Sequence, residues 1–526
     1  MKYKRIIWLL VGAILTFSAC DTEELHDLNI NPQAVNEINM NFLFSNAELS
    51  LADGNAASNR YLNWRTNVGY AGYWMQHLAT LGNSLNQAGD KYFVNVEADD
   101  APWDYGYSDQ LKNLAEVIKQ TGPGGFEEGR RPNTRQAARI VRAFVYLRLT
   151  DFYGNIPYTE GGQGIEGIFF PTYDTQESIY TALFQELLEA GAAISTANAD
   201  DGFAAADMIY QGDITKWKKW ANSITLRMAM RISKVNPGLA AEKVNLALSG
   251  VGVFSSNDDI PWIPHADGPS QWVNQNGLSR AFIGGDGGQS RVMSKTLIDV
   301  LKGDDPGSVA DDDPRLMIYS DGANGSVDPL LQEGMPNGLD AGTLDVYTGT
   351  VGTDPNAIYS RLNNLFFKTD SPYKLMNYAE VEFLQADAKE RNIGNVGGTA
   401  EEHYNAGVKA AMQMFEPYDA SFVVSDAAVT SYLALYPYAG GTAGLEMIGQ
   451  QVWISELLNW WDAWNYWRQS GYPVLTPVNY PGNITGGQIP TRLVYPSKEV
   501  ATNNENLQSG GTSPNTHVGK VWWDVD

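Results

Sequence analysis

Between Asn133 and Ile232 apolar side chains return every third or fourth position in three successive runs, which commits this part of the chain to amphipathic helices. The first run, from Asn133 to about Thr150, opens with Asn133 and Gln136 at capping-box spacing. It carries Ile140, Phe144 and Leu147 beside Val141, Val145 and Leu149. The second starts at Asp174, with Glu177 three residues on, and repeats Ile179, Leu183, Leu187 and Tyr180, Phe184, Leu188. The third starts near Asp213 and places Ile214, Trp217, Ala221, Ile224, Met228 and Ile232 on one side. The same reading predicts helices over 41–52, 61–81, 104–120, 373–391, 402–415 and 445–468. Paired helices joined by short turns fit a helical-repeat scaffold, although no clean repeat of about 34 residues is visible.

Between about 250 and 371 the pattern changes: Gly, Pro, Asp and Asn dominate, and only fragments such as 357–362 look extended. This reads as a loop-rich insertion in the helical body, and long irregular stretches of this kind are more often functional than structural. A second irregular stretch runs from Tyr472 onward. No Pro/Ser/Gly linker divides the chain, so one body is expected from residue 20 to residue 526. With 15 Trp and 27 Tyr the chain has more aromatics than its core needs, and some are expected at the surface.

The first residues belong to another process. Lys2, Lys4 and Arg5 precede an apolar run from Ile6 to Phe17, and Ser18-Ala19 places small residues before the only cysteine, Cys20. That is the layout of a lipoprotein signal peptide, 1–19, with Cys20 as the lipidated new N-terminus. The apolar run is shorter than the ~20 residues a membrane-spanning helix needs, so membrane attachment is expected through the lipid alone. The whole chain carries a net charge of −25, and losing three basic residues makes it more acidic still. Nucleic acid and anionic lipid surfaces would be repelled.

Signatures of catalysis are missing. There is no P-loop, G-x-S-x-G or H-E-x-x-H, and His26, His77, His265, His403 and His517 show no metal-ligand spacing. We therefore expect no enzyme activity, cofactor or metal. The glycine-rich stretch 284–289 lacks the strand and helix of a dinucleotide loop. The acidic run Asp304, Asp305, Asp311, Asp312 and Asp313 lacks EF-hand spacing and reads as a solvated turn around Pro306 and Pro314.

Several linked motifs carry a family resemblance. After the lipoprotein start come residues 150–158 (TDFYGNIPY), 220–223 (WANS) and 227–231 (RMAMR). They are followed by 313–316 (DPRL), 377–381 (NYAEV), Trp467-Arg468 before 471–473 (GYP), 489–493 (IPTRL) and 520–524 (KVWWD). Together these resemble the SusD/RagB family of outer-membrane nutrient-binding lipoproteins over essentially the whole mature chain. Thr491 departs from it, standing where relatives often carry a second arginine. The resemblance implies a mostly α fold with tetratricopeptide-type helix pairs packed against a loop-rich irregular region. It also implies a surface-exposed lipoprotein of the Bacteroidetes outer membrane that delivers oligosaccharide to a SusC-like TonB-dependent transporter; the alternative is a RagB-like peptide-uptake protein. Asp21, Glu23 and Glu24 are similar to the acidic signals that send such lipoproteins to the outer face.

A glycan site needs flat aromatic faces for the apolar sides of sugar rings, with amide or guanidinium groups for the hydroxyls. We expect Trp64, Tyr73 and Trp74 to supply faces from a surface helix, and Trp262 and Trp272 from the irregular region, with Asn276 and Arg361 as hydrogen-bonding groups. Trp453, Leu457, Trp460, Trp464 and Trp467 follow a 4, 3, 4, 3 spacing and are expected to be core, as are Trp217 and Trp220.

Overall fold

The computed structural model describes residues 38–525 except 53–60, 83, 85–86, 201, 269–272 and 284–290. The signal peptide, Cys20, Trp272 and the glycine-rich stretch at 284–289 lie outside the described residues.

The helices that build the body are α1 (Met40–Leu51), α2 (Pro132–Tyr153), α3 (Gln176–Ala193), α4 (Ile214–Arg231) and α5 (Pro237–Ala247). Then come α6 (Lys295–Leu301), α7 (Ala341–Thr348), α8 (Tyr378–Glu390), α9 (Ala400–Gln413), α10 (Asp426–Leu435), α11 (Gly441–Ser455) and α12 (Trp460–Ser470). Neighbours in sequence pack as hairpins, α2 on α3, α4 on α5 and α8 on α9, and α4 also packs against α3 and α8. The fold is thus mostly α, with stacked helix pairs. The irregular region, 248–377, leaves after α5 and returns at α8, so the stack continues across it while the intervening chain covers one side. The strands are two residues long: β1 (Leu78–Ala79), outside this region, pairs antiparallel with β3 (Val292–Met293) inside it, and β2 (Trp262–Ile263) pairs with β4 (Tyr373–Lys374).

Helix starts show where local pattern and long-range packing part company. At α4 the Asp213 carboxylate accepts from the amides of Thr215 and Lys216, as its sequence position predicts. At α2 the expected Asn133 capping box is absent, because the helix begins earlier at Pro132, a residue pre-set for a first turn. The free amides of Asn133 and Thr134 are taken instead by Asp200, 67 and 66 positions away, at 2.7 and 2.9 Å. At α3 the cap is Thr175, and Asp174 turns back to the amides of Tyr158 and Thr159.

The helix expected over 61–81 ends at Trp74, and Asn63–Ala71 is wound as a π-helix. Gln76 takes a positive φ of 52° and the chain turns into β1. The helix expected over 445–468 is two helices, α11 and α12, parted at Leu458 with φ of 73°. Asn67 of the π-helix fills that break: its side chain donates to the Leu458 carbonyl at 2.6 Å and accepts from the Trp461 amide at 3.1 Å. Residues 373–374, expected as the start of a helix, are strand β4, and α8 begins at Tyr378, capped by Asn377.

Most of the tryptophan is interior. Trp217, Trp220, Trp453, Trp460, Trp461, Trp464 and Trp523 are all buried. Charge is buried with them. Arg227 bridges Glu380 and Asp462, Arg231 pairs with Asp151, and Lys374 lies 3.6 Å from Glu456. Trp523 donates to Asp151 at 2.9 Å, and its ring lies beneath Arg468. In the irregular region the acidic run is a turn: Asp311 accepts the amides of Asp304 and Asp305, and Asp313 forks onto buried Arg315.

Candidate functional site

On the irregular side, residues 476–481 cross over a turn at 336–340 and over the exposed edge of α6, leaving a cleft of about 740 Å³. That volume suits a small ligand. Tyr480 is its aromatic face. The phenol donates to Asp340 Oδ2 at 2.6 Å, and the ring meets Phe93 edge-on with centroids 5.7 Å apart. Asp340 also caps α7 by accepting from the Thr343 amide at 2.8 Å. The Tyr480 hydroxyl and the Thr343 amide hold the Asp340 carboxyl down at about 2, so it is ionised at any physiological pH and the phenol keeps its proton.

The wall behind Tyr480 is fixed by long-range bonds. Asn337 donates to the Leu78 carbonyl and to Asp90, both at 2.7 Å. Gln76, in its left-handed conformation, donates to the Thr476 carbonyl at 2.5 Å and accepts from Thr296 at 2.7 Å. The edge of α6 contributes Lys295 and Asp299, paired at 2.8 Å. A second cleft of about 920 Å³, with Tyr347, Tyr359 and Glu333 in its lining, shares Lys295 and Asp299 with the first. The arrangement offers aromatic faces, amides, hydroxyls and carboxylates, a set that suits a polyhydroxylated neutral ligand. Another cleft, of about 570 Å³ among Leu43, Tyr146 and Tyr158, carries charges already engaged: Lys119 with Glu166, and Arg142 with Glu186.

None of the described residues chosen from sequence lines the Tyr480 cleft. Tyr73 and Trp74 are each only 1% exposed, so the helix that bears them is interior. Trp74 stacks on Tyr70 at 4.4 Å and leans on Trp464 at 5.0 Å. His77 on the same segment accepts from Trp460 at 3.0 Å, and burial pushes it down to about 3, so it stays neutral. Asn276 is buried as the cap of Gly277–Phe282 and donates to the Ser371 carbonyl at 2.8 Å; its amide is spent on backbone. Trp64 is half-buried and stacks on Tyr61, and Trp262 stands edge-on to Tyr418 at 5.5 Å. Arg361 is exposed. Tyr480 sits between Pro477 and Pro481 in the irregular stretch that runs from Tyr472, where an aromatic has few neighbours to bury it, and that signal was there to be read.

The family model described as "Starch-binding associating with outer membrane", SusD-like, matches residues 32–496. Among solved structures, a chitin-binding protein is 33% identical with a TM-score of 0.79, over 93% of this chain and 100% of that one. A SusD-like protein of Bacteroidetes AC2a is 26% identical, TM-score 0.78, over 93% and 100%. A SusD homologue of Bacteroides uniformis is 25% identical, TM-score 0.74, over 93% and 99%. No curated protein matches the chain. With the family model spanning most of its length and stacked helix pairs beneath an irregular side that carries the cleft, this chain belongs to the SusD-like family of outer-membrane-associated, carbohydrate-binding proteins.

Proposed function

We propose that this protein is a surface lipoprotein, anchored through Cys20, that binds a neutral oligosaccharide in the Tyr480 cleft and delivers it to a SusC-like TonB-dependent transporter, without catalysing a reaction. The observation that carries the reading is the 33% identity to a chitin-binding protein over that protein's full length, which makes oligomers of N-acetylglucosamine the first ligands to try. The half-exposed tyrosine face with amides and hydroxyls around it supports a sugar over a nucleotide or a lipid. The net charge of −25 argues against sulfated or uronic-acid glycans.

Calorimetry of the mature chain against chitin oligosaccharides, soluble starch and mixed peptides tests the ligand. Tyr480→Ala is expected to weaken binding by roughly tenfold or more, a loss of at least ~1.4 kcal/mol. Binding to peptides alone would overturn the reading. Unchanged affinity in Tyr480→Ala with loss in Trp272→Ala would move the site to the loop tryptophans Trp262 and Trp272 and to Arg361. Anchoring is tested separately: Cys20→Ser expressed in a Bacteroidetes host is expected to leave the membrane fraction and lose label from radioactive palmitate. Retention of both would remove Cys20 as the anchor.

A further inference from the structure

Besides the Tyr480 and Tyr347 clefts, a third cleft along α6, of about 600 Å³, opens at its C-terminal end where α10 meets α11. Asp299 lines all three clefts, Val300 lines the first and third, and Gly303 the second and third. The exposed edge of α6 is therefore a common wall, and a ligand lying along it passes from Tyr480 by way of Tyr347 to the third cleft. A helix of this length is ~10 Å long, short enough for one oligosaccharide to run past both ends.

At the far end stand Tyr432 and Tyr436, one helical turn apart, both half-exposed, with ring centroids 4.9 Å apart and tilted by 48°. Their phenols are held in place. Tyr436 donates to the Asp311 carbonyl at 3.0 Å. Tyr432 accepts from Gln451 at 2.9 Å, Gln451 accepts from Arg315 at 2.8 Å, and Arg315 is fully buried on Asp313. Two aromatic faces fixed at their tips, Tyr432 by a buried relay and Tyr436 by a backbone carbonyl, are pre-organised and lose little freedom when a ligand arrives. Gln450 adds an amide, and Asp304 and Asp311 bring negative charge to the rim.

We propose that Tyr432 and Tyr436 form a second sugar-binding site, joined along α6 to the Tyr480 cleft, so that the protein selects long neutral or amino-sugar chains by engaging them at both ends of α6. This rests on the Tyr480 cleft being a glycan site. Two weak sites on one ligand multiply rather than add, so affinity rises steeply once the chain spans both. The flanking carboxylates repel anionic glycans of the same length.

Calorimetry with chitin di-, tetra-, hexa- and octasaccharide tests this. In the wild type, affinity is expected to rise with length, by roughly tenfold or more from the shortest to the longest. Tyr432→Ala/Tyr436→Ala is expected to flatten that rise while the disaccharide still binds in the Tyr480 cleft; Gln450→Ala, which disturbs no bond in the relay, is expected to reduce the rise in part. Tyr480→Ala should weaken every length. An unchanged length dependence in Gln450→Ala and in a double variant that melts like wild type overturns the second site. Length-independent binding by the wild type overturns it too and leaves the Tyr480 reading standing. No binding of any oligosaccharide overturns both.

Discussion

Arg227→Met is expected to lower the free energy of unfolding by ~3–5 kcal/mol, read from urea or guanidinium titration. The guanidinium of α4 is 3% exposed, donates to Glu380 Oε1 at 2.6 Å and to Oε2 at 2.5 Å, and lies 3.6 Å from Asp462. It ties α8 and α12 to α4, the helix from which the stack is built outward. Without it two carboxylates remain buried without their guanidinium beside Glu456, whose own carboxyl is already pushed up by burial and by those neighbours against the pull of Lys374. The penalty comes from stranding charge rather than from losing a strong bond, which fixes the outcome of a second experiment. Adding Glu380→Leu removes one stranded carboxylate and is expected to return more than half of the loss. A double variant no more stable than Arg227→Met would show that the cost lies in packing.

Trp74→Ala is expected to cost ~3–5 kcal/mol of stability and to leave the affinity of the folded protein unchanged. The indole is enclosed by Tyr70 and Trp464, and the neighbouring helices have no room to collapse into so large a void. Tyr480→Ala should show the reverse, a near-native melting temperature with weakened binding, because its ring lies on the cleft wall. If Trp74→Ala lost affinity at a concentration where circular dichroism shows it folded, the helix 61–74 would be part of the site after all.

The scaffold was readable where burial follows a helix stripe. Ile140, Phe144 and Leu147 in α2, and Trp217, Ile224 and Met228 in α4, point inward as their spacing demands. The site expectation failed where the stripe was read as a surface. Tyr70, Tyr73 and Trp74 stand at i, i+3 and i+4, one face of the helix, and each is buried because α12 and the irregular segments enclose it. Amphipathic side chains suggested a surface there, and position in the stack decided otherwise. The break at Leu458 was invisible for a related reason: an apolar run continues through it, and the side chain that stabilises the break, Asn67, is 391 positions away. The cleft is harder still. Tyr480 becomes a platform only because Asp340, 140 residues earlier, holds its hydroxyl, and no local pattern joins those two segments.

The contact between Trp523 and Asp151 spans 372 positions and completes the surroundings of a fully buried carboxylate. Without that indole, Asp151 keeps Tyr180 and Arg231 as its side-chain hydrogen-bond partners, and Arg468 loses one of the rings it lies over. Synthesis runs from the N-terminal side, so Asp151 of α2 is made 372 positions before the indole that seals it. Truncation just before Trp523 is expected to lower stability by ~3–5 kcal/mol, read from the melting of the shortened chain, and to make it more open to proteolysis.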